Sequence, residues 1–178
     1  MARMVRGHEK SHQSVSRMND QVVENCATSF AAAENAATGS GARPMSSAVL
    51  VIVFNRPEET RLVFEQIAKA RPPRLYVAAD APRSNRPSDV DNCRRTLDIF
   101  AAVDWPCECR YRINEVNLGS HTSIPQAIDW FFDAEERGIV LEDDCVPSQD
   151  FFVFCDDLLE RYQDDPRVMW INGSNLQF

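Results

Sequence analysis

The sequence predicts an α/β protein built on a mainly parallel, doubly wound sheet. Three observations carry this. Strand-like apolar runs alternate with helical apolar stripes from Ala48 onward, and the connections between them are short. The first of these runs is also apolar along its whole length, as suits a strand covered on both faces. The chain has 178 residues, enough for one domain with a real core.

The first strand is Ala48-Val49-Leu50-Val51-Ile52-Val53-Phe54. Asn55 is placed to cap the following helix, and Pro57 suits its first turn. Val63, Ile67 and Ala70 recur at helical spacing until Pro72-Pro73 stops the helix. Leu75 to Ala79 reads as the second strand, ending at Asp80. A polar loop, Ala81 to Pro87, leads to Ser88 and Asp91, which resemble a capping box. Val90, Cys93, Leu97 and Phe100 then stripe one helical face. Cys107 to Ile113 alternates as a third strand. After Asn117-Leu118-Gly119 comes a helix with Ile124, Ile128, Phe131 and Phe132 on its apolar side. Ile139-Val140-Leu141 is the fourth strand, and Phe151, Cys155, Leu158, Leu159 and Tyr162 stripe the next helix. Asp165-Pro166 ends that helix, and Val168-Met169-Trp170-Ile171 is expected to begin a fifth strand.

Residues 1–45 read differently. They are rich in Ser, Ala, Asn, Gln and Gly, so we expect a disordered or over-called N-terminal extension, with Met45 as the true start. Residues 46–178 then form the folded domain. The formal net charge of -8 argues against a nucleic-acid partner. Six cysteines lack paired C-x-x-C spacing, which gives a zinc site little support. No apolar run is long enough for a signal peptide or a membrane span. Reduced thiols and a cytoplasmic location, peripheral at the inner membrane at most, are the expectation.

Glu142-Asp143-Asp144 closes the fourth strand. Three adjacent carboxylates repel one another, and leaving water is unfavourable for each. Such a cluster is stable where positive charge sits beside it. A hard divalent cation is one candidate, with a diphosphate as its companion; a solvated acidic loop is the other reading. In doubly wound sheets ligands bind beyond the carboxyl ends of the strands. That rule gathers Asn55 and Arg56, Asp80 and Arg83, Asn117 and Gly119, and the acidic triad into one crevice. Asp80 can accept from a nucleobase N–H or serve as a turn aspartate. Asp143 or Glu142 can accept from ribose hydroxyls. Asp144 can ligate the metal, while Arg56 or Arg83 pairs with phosphate oxygens. Gly119 permits close backbone approach. His121 is read as a solvated first-turn residue, and Trp170 as a core residue that also offers a stacking surface. No G-x-S-x-G elbow is present, so hydrolase chemistry is not indicated.

The block Gly-Ile-Val-Leu-Glu-Asp-Asp-Cys-Val-Pro-Ser-Gln-Asp-Phe-Phe from Gly138 onward resembles the metal-binding segment of GT-A glycosyltransferases. It is especially similar to the Glu-Asp-Asp form of the DXD motif, followed by Pro-x-x-Asp-Phe-Phe, in N-acetylglucosaminyltransferase I-like enzymes and their bacterial relatives. Val-Ile-Val-Phe-Asn-Arg-Pro, Ala-Ala-Asp-Ala-Pro-Arg and Asn-Leu-Gly look like bacterial family 2-like members in the same order. The resemblance implies a Rossmann-like GT-A fold and a metal-dependent transferase using a nucleotide-diphosphosugar, most simply a UDP-sugar. It implies Mn2+ or Mg2+ on Asp144. Asp143 with Glu142 would serve the ribose or support the site, Asp80 would contact the base, and Asn55 and Arg56 would lie under the nucleotide. The acceptor would be a glycan or glycolipid. The acceptor-side half that would carry the catalytic base is absent from the pattern, so the expectation is a C-terminally truncated, donor-binding half. The alternative is an inactive fragment or a nucleotide-sugar-binding module.

Overall fold

The computed structural model describes residues 44–173; the expectations for residues 1–43 and 174–178 lie outside them. The elements run β1 (Ala48–Val53), α1 (Pro57–Ala70), β2 (Arg74–Ala79), α2 (Ser88–Asp98), β3 (Glu108–Ile113), α3 (Ser120–Phe132), β4 (Gly138–Glu142) and α4 (Gln149–Arg161). A short 3-10 helix, Ile99–Ala102, extends α2. The four strands pair in parallel in the order β3-β2-β1-β4. The protein is therefore α/β with a parallel, Rossmann-like sheet.

Strand alternation builds two apolar layers. Val49, Val51 and Val53 of β1 share a core with Val63, Phe64 and Ile67 of α1, Leu97 of α2, and Phe152 and Cys155 of α4. Ala48, Leu50 and Ile52 face the other way, with Tyr76, Ala127 and Phe131. Thus α1, α2 and α4 cover one face and α3 covers the other. Right-handed crossovers explain the split: the chain moves outward from β1 to β3, then returns across the sheet to β4, and the reversal puts its helix on the opposite face. The strand order reverses between β1 and β4. In register, Ile52 stands opposite Glu142. The segments leaving β1 and β4 therefore emerge side by side.

A buried carboxylate closes the opposite end of β1. Asp156 of α4 accepts from Ser46 N at 3.1 Å and Ser47 N at 2.8 Å, and from the Ser46 hydroxyl. Burial pushes this carboxyl up, but the serine hydrogen bonds outweigh it and hold it below the usual range.

Several expectations are corrected. Val168–Ile171 forms no strand. The turn after α4 is fixed by Arg167, whose guanidinium forks onto Asp165 at 2.7 and 2.8 Å, and by Val168 N donating to Asp165 O. The segment then passes over a groove beside β4, leaving Met169 92% and Trp170 75% exposed, so Trp170 is not a core residue. Among the described residues β4 pairs with β1 alone. Asn55 does not cap α1; Arg56 precedes that helix, and the Asn55 amide is bonded elsewhere. The Ser88 capping box is not formed either, since Pro87 precedes the helix without a side-chain cap. Asp89 turns inward and Val90 outward, so the apolar stripe of α2 begins at Cys93. The helix cap that does form is Ser148, which accepts from Phe151 N at 3.2 Å. Phe132 is partly exposed, while Phe131 is fully buried against Tyr76.

Gly138 opens β4 where the sheet meets α3. A Cβ there would lie 2.3 Å from Phe131 Cζ and 2.9 Å from Ala48 O, and the second neighbour is backbone. Gly138→Ala should lower the unfolding free energy by about 1–3 kcal/mol through overpacking. Urea denaturation checks this; an unchanged midpoint would contradict the packing at this corner.

Candidate functional site

Phe54, Asn55 and Arg56 leave β1 beside Glu142, Asp143 and Asp144 at the end of β4. Asp143 is 7% exposed. Its Oδ2 accepts from Phe54 N at 3.1 Å, and its Oδ1 faces Arg56 Nη1 at 3.4 Å. Arg56 Nη1 also pairs closely with Asp144 Oδ2. Burial pushes the Asp143 carboxyl above its ordinary value; the Phe54 N–H and Arg56 oppose that, and Asp144 and Glu142 add to it. The hydrogen bond to Asp144 and the charge of Asp143 raise Arg56. Arg56 of the same chain thus supplies positive charge to two of the three clustered carboxylates, Asp143 and Asp144. Asp144 and Glu142 remain exposed.

Asp80, at the end of β2, is buried and fully engaged. Its oxygens accept from Ala81 N at 3.0 Å, Leu118 N at 3.0 Å and Gly119 N at 2.8 Å. They also accept from Asn114 Nδ2 at 3.0 Å and Asn117 Nδ2 at 3.1 Å. Asn117 Nδ2 additionally donates to Ala81 O at 2.7 Å. Gly119 sits at φ +73°, a left-handed conformation that glycine adopts without strain. Asp80, Asn117 and Gly119 therefore form one internal knot that shapes the β3–α3 loop. His121, in the first turn of α3, is exposed.

A third cluster centres on Asp89, which is 2% exposed in the first turn of α2. Arg83 donates to it through Nε at 2.5 Å and Nη2 at 3.0 Å. Asn55 Nδ2 donates at 2.8 Å. The Arg83 guanidinium lies 5.2 Å from the Phe54 ring centroid. The Arg83 fork is the largest cause holding Asp89 down to about 2; burial opposes it, and Asn55 adds to it. Asn114 and Asp89 were not expected from sequence. An aspartate in a helix's first turn ordinarily reads as a dipole residue, and no local pattern signals that this one is enclosed.

Three groups thus lie at the carboxyl ends of the strands: Arg56 with Asp143 and Asp144, Asp89 with Asn55 and Arg83, and Asp80 with Asn117 and Gly119. Since β2 and β4 flank β1, Asp80 and Asp143 lie on opposite sides of the segment that leaves β1. Among the described residues no group of three or more His, Cys, Asp or Glu side chains is arranged to hold a metal ion. A magnesium-like cation in a phosphate site takes one or two carboxylates and completes its shell with phosphates and water. Exposed Asp144, with Glu142 two residues before it, fits that kind of donor set.

No protein-family model matches the chain, and no curated protein or solved structure matches it either. No helix among the described residues is long and apolar enough to cross a membrane. Among the described residues Cys93, Cys107, Cys145 and Cys155 are free thiols.

Asp89 and Asp143 should titrate with opposite consequences. Asp89 ionises near about 2 when folded, against an ordinary 3.8, so the unfolded chain takes up the proton first. Its stabilisation is complete above the ordinary value and is lost as pH falls toward about 2. Asp143 is raised, so its contribution is present in acid and lost as pH rises through its folded value. Asp89→Asn should therefore flatten the acid limb of a stability–pH curve, and an unaltered limb would contradict the pairing. Arg56→Gln should raise the Asp143 carboxyl further, which a carbon-detected NMR titration reads directly; no upward movement would sink the assigned ion pair.

Proposed function

We propose that this crevice binds a nucleotide-diphosphosugar, most simply a UDP-sugar, and that the chain is a metal-dependent glycosyltransferase or its donor-binding part. One observation carries the reading: at the β1/β4 switch point a buried carboxylate, Asp143, holds an arginine that also pairs with an exposed carboxylate, Asp144. The position suits a ligand of an open α/β sheet. The order of the Asn-Arg-Pro, Asp-Ala-Pro-Arg, Asn-Leu-Gly and Glu-Asp-Asp segments supports the same reading.

The chemistry follows from exchange of partners. Arg56 is a fork that suits phosphate oxygens as well as a carboxylate. A diphosphate entering the crevice draws Arg56 from Asp144. Asp144 would then be available to hold Mn2+ or Mg2+. Asp144 would therefore not be left without a positive partner. Asp143 stays where the Phe54 N–H holds it and orients Arg56 throughout. Glu142, exposed beside it, is placed for ribose hydroxyls. When bound, the divalent ion neutralises negative charge gathering on the departing diphosphate. Arg56 contributes to the same end from the protein, and interactions of this kind act more strongly in the transition state than before it. The acceptor is a glycan or glycolipid in this reading, and no catalytic base is assigned.

Calorimetric titration of UDP in the presence of Mn2+ tests the reading. Asp144→Asn should weaken the metal-dependent part of binding by about tenfold or more, roughly the loss of one charged contact, with the melting temperature little changed. Absence of UDP binding with and without Mn2+ would overturn the proposal. A parallel donor-hydrolysis assay divides enzyme from binding module: turnover marks the first, binding without turnover the second.

A further inference from the structure

Asp89 accepts from two residues through a single oxygen. Asn55 Nδ2 at 2.8 Å and Arg83 Nη2 at 3.0 Å both reach Oδ1, while Arg83 Nε at 2.5 Å takes Oδ2. The two side chains therefore stand next to each other, held by one buried group. An ionised carboxylate can only accept. The Asn55 amide must turn its NH2 toward Asp89, which leaves its carbonyl oxygen as a spare acceptor. Arg83 has used its Nε–Nη2 edge, which leaves the Nη1 hydrogens as spare donors. Neither spare group meets a partner among the described residues, and the Arg83 side chain is 34% exposed. The Arg83 guanidinium lies over the Phe54 ring, 5.2 Å from its centroid. A flat, charged shelf with one acceptor beside one donor complements a ring edge that presents N–H beside C=O. Uracil offers that pattern, with its N3–H flanked by carbonyls. Adenine has no carbonyl at all.

We infer that Asn55 and Arg83, held by Asp89, form the base-recognition edge of the site and select a carbonyl-bearing nucleobase of the uracil type. This rests on the donor-site reading above and deepens it. It assigns base contact to the cluster beside α2, because both oxygens of Asp80 are already occupied by the β3–α3 loop. Arg83 thereby becomes a specificity residue in place of a phosphate partner. Asp89 is a positioning residue, since it acts only through the two side chains that it holds.

The experiment measures dissociation constants for UDP, ADP and inorganic pyrophosphate, each with Mn2+. Arg83→Lys keeps the charge but cannot satisfy Asp89 and reach a base together. It should weaken UDP about tenfold, the scale of one lost base contact, and leave pyrophosphate within about twofold. The wild-type preference for UDP over ADP should shrink accordingly. Asn55→Ala should do the same, and it provides the test if Arg83→Lys fails to fold. Combining either with Asp89→Asn should add little, because the three act as one unit. Equal losses for UDP and pyrophosphate would make Arg83 a phosphate contact and overturn the inference, as would an unchanged UDP-to-ADP ratio. If the wild-type protein binds neither UDP nor pyrophosphate, the donor-site reading itself fails and this inference falls with it.

Discussion

The ion pairs of Arg56 with Asp143 and Asp144 are the constraint on which the crevice depends. Asp143 is the most enclosed of the three clustered acids, and enclosure disfavours its charged form. The Phe54 N–H and the Arg56 guanidinium are what offset that. Both belong to the segment leaving β1, so neutralising the acid also fastens the ends of β1 and β4 together. A central strand and the edge strand beyond it are joined at the place where the winding of the sheet reverses. The same bonds that make the acidic turn tolerable also shape the opening in which a ligand would lie.

Around this centre the fold uses buried aspartates repeatedly, and each has a different task. Asp80 gathers backbone and side-chain donors into one loop. Asp89 fixes two polar side chains at the rim. Asp156 ties the start of β1 to α4 at the far end of the sheet. All are buried, and all have their oxygens satisfied by donors, as a buried carboxylate requires. The net acidity of the chain is therefore partly internal structure and not only a solvated surface.

Much of the fold was legible because it rests on local rules. The all-apolar β1 run, the stripe of Val63 and Ile67, and the stripe of α4 each specify an element by period alone. The parallel pairing of the strands followed from the alternation of strand and helix with short connections, whereas their order did not. What was not legible depended on long-range partners. Val168–Ile171 has strand-like side chains, yet it follows the turn made by the Asp165–Arg167 fork and does not pair with β4. Asn55 has the chemistry of a cap, but a buried acid thirty-four positions later claims its amide. Val90 fits an apolar stripe by spacing, and the inward turn of Asp89 displaces it. In the candidate site, the residues at the strand ends were found by topology, whereas Asp89 and Asn114 carry no sequence mark of being enclosed. The source of positive charge beside the triad was likewise open in the sequence, and it proved to include an arginine already named for another purpose.

In the proposed function Arg56, paired with Asp143 and Asp144, yields Asp144 to a divalent cation when a diphosphate arrives. Mn2+ uptake measured by electron paramagnetic resonance tests this most directly. Wild-type protein should take up little Mn2+ by itself and much more once UDP is present, beyond what UDP binds in free solution. Uptake that is the same with and without UDP would contradict the account.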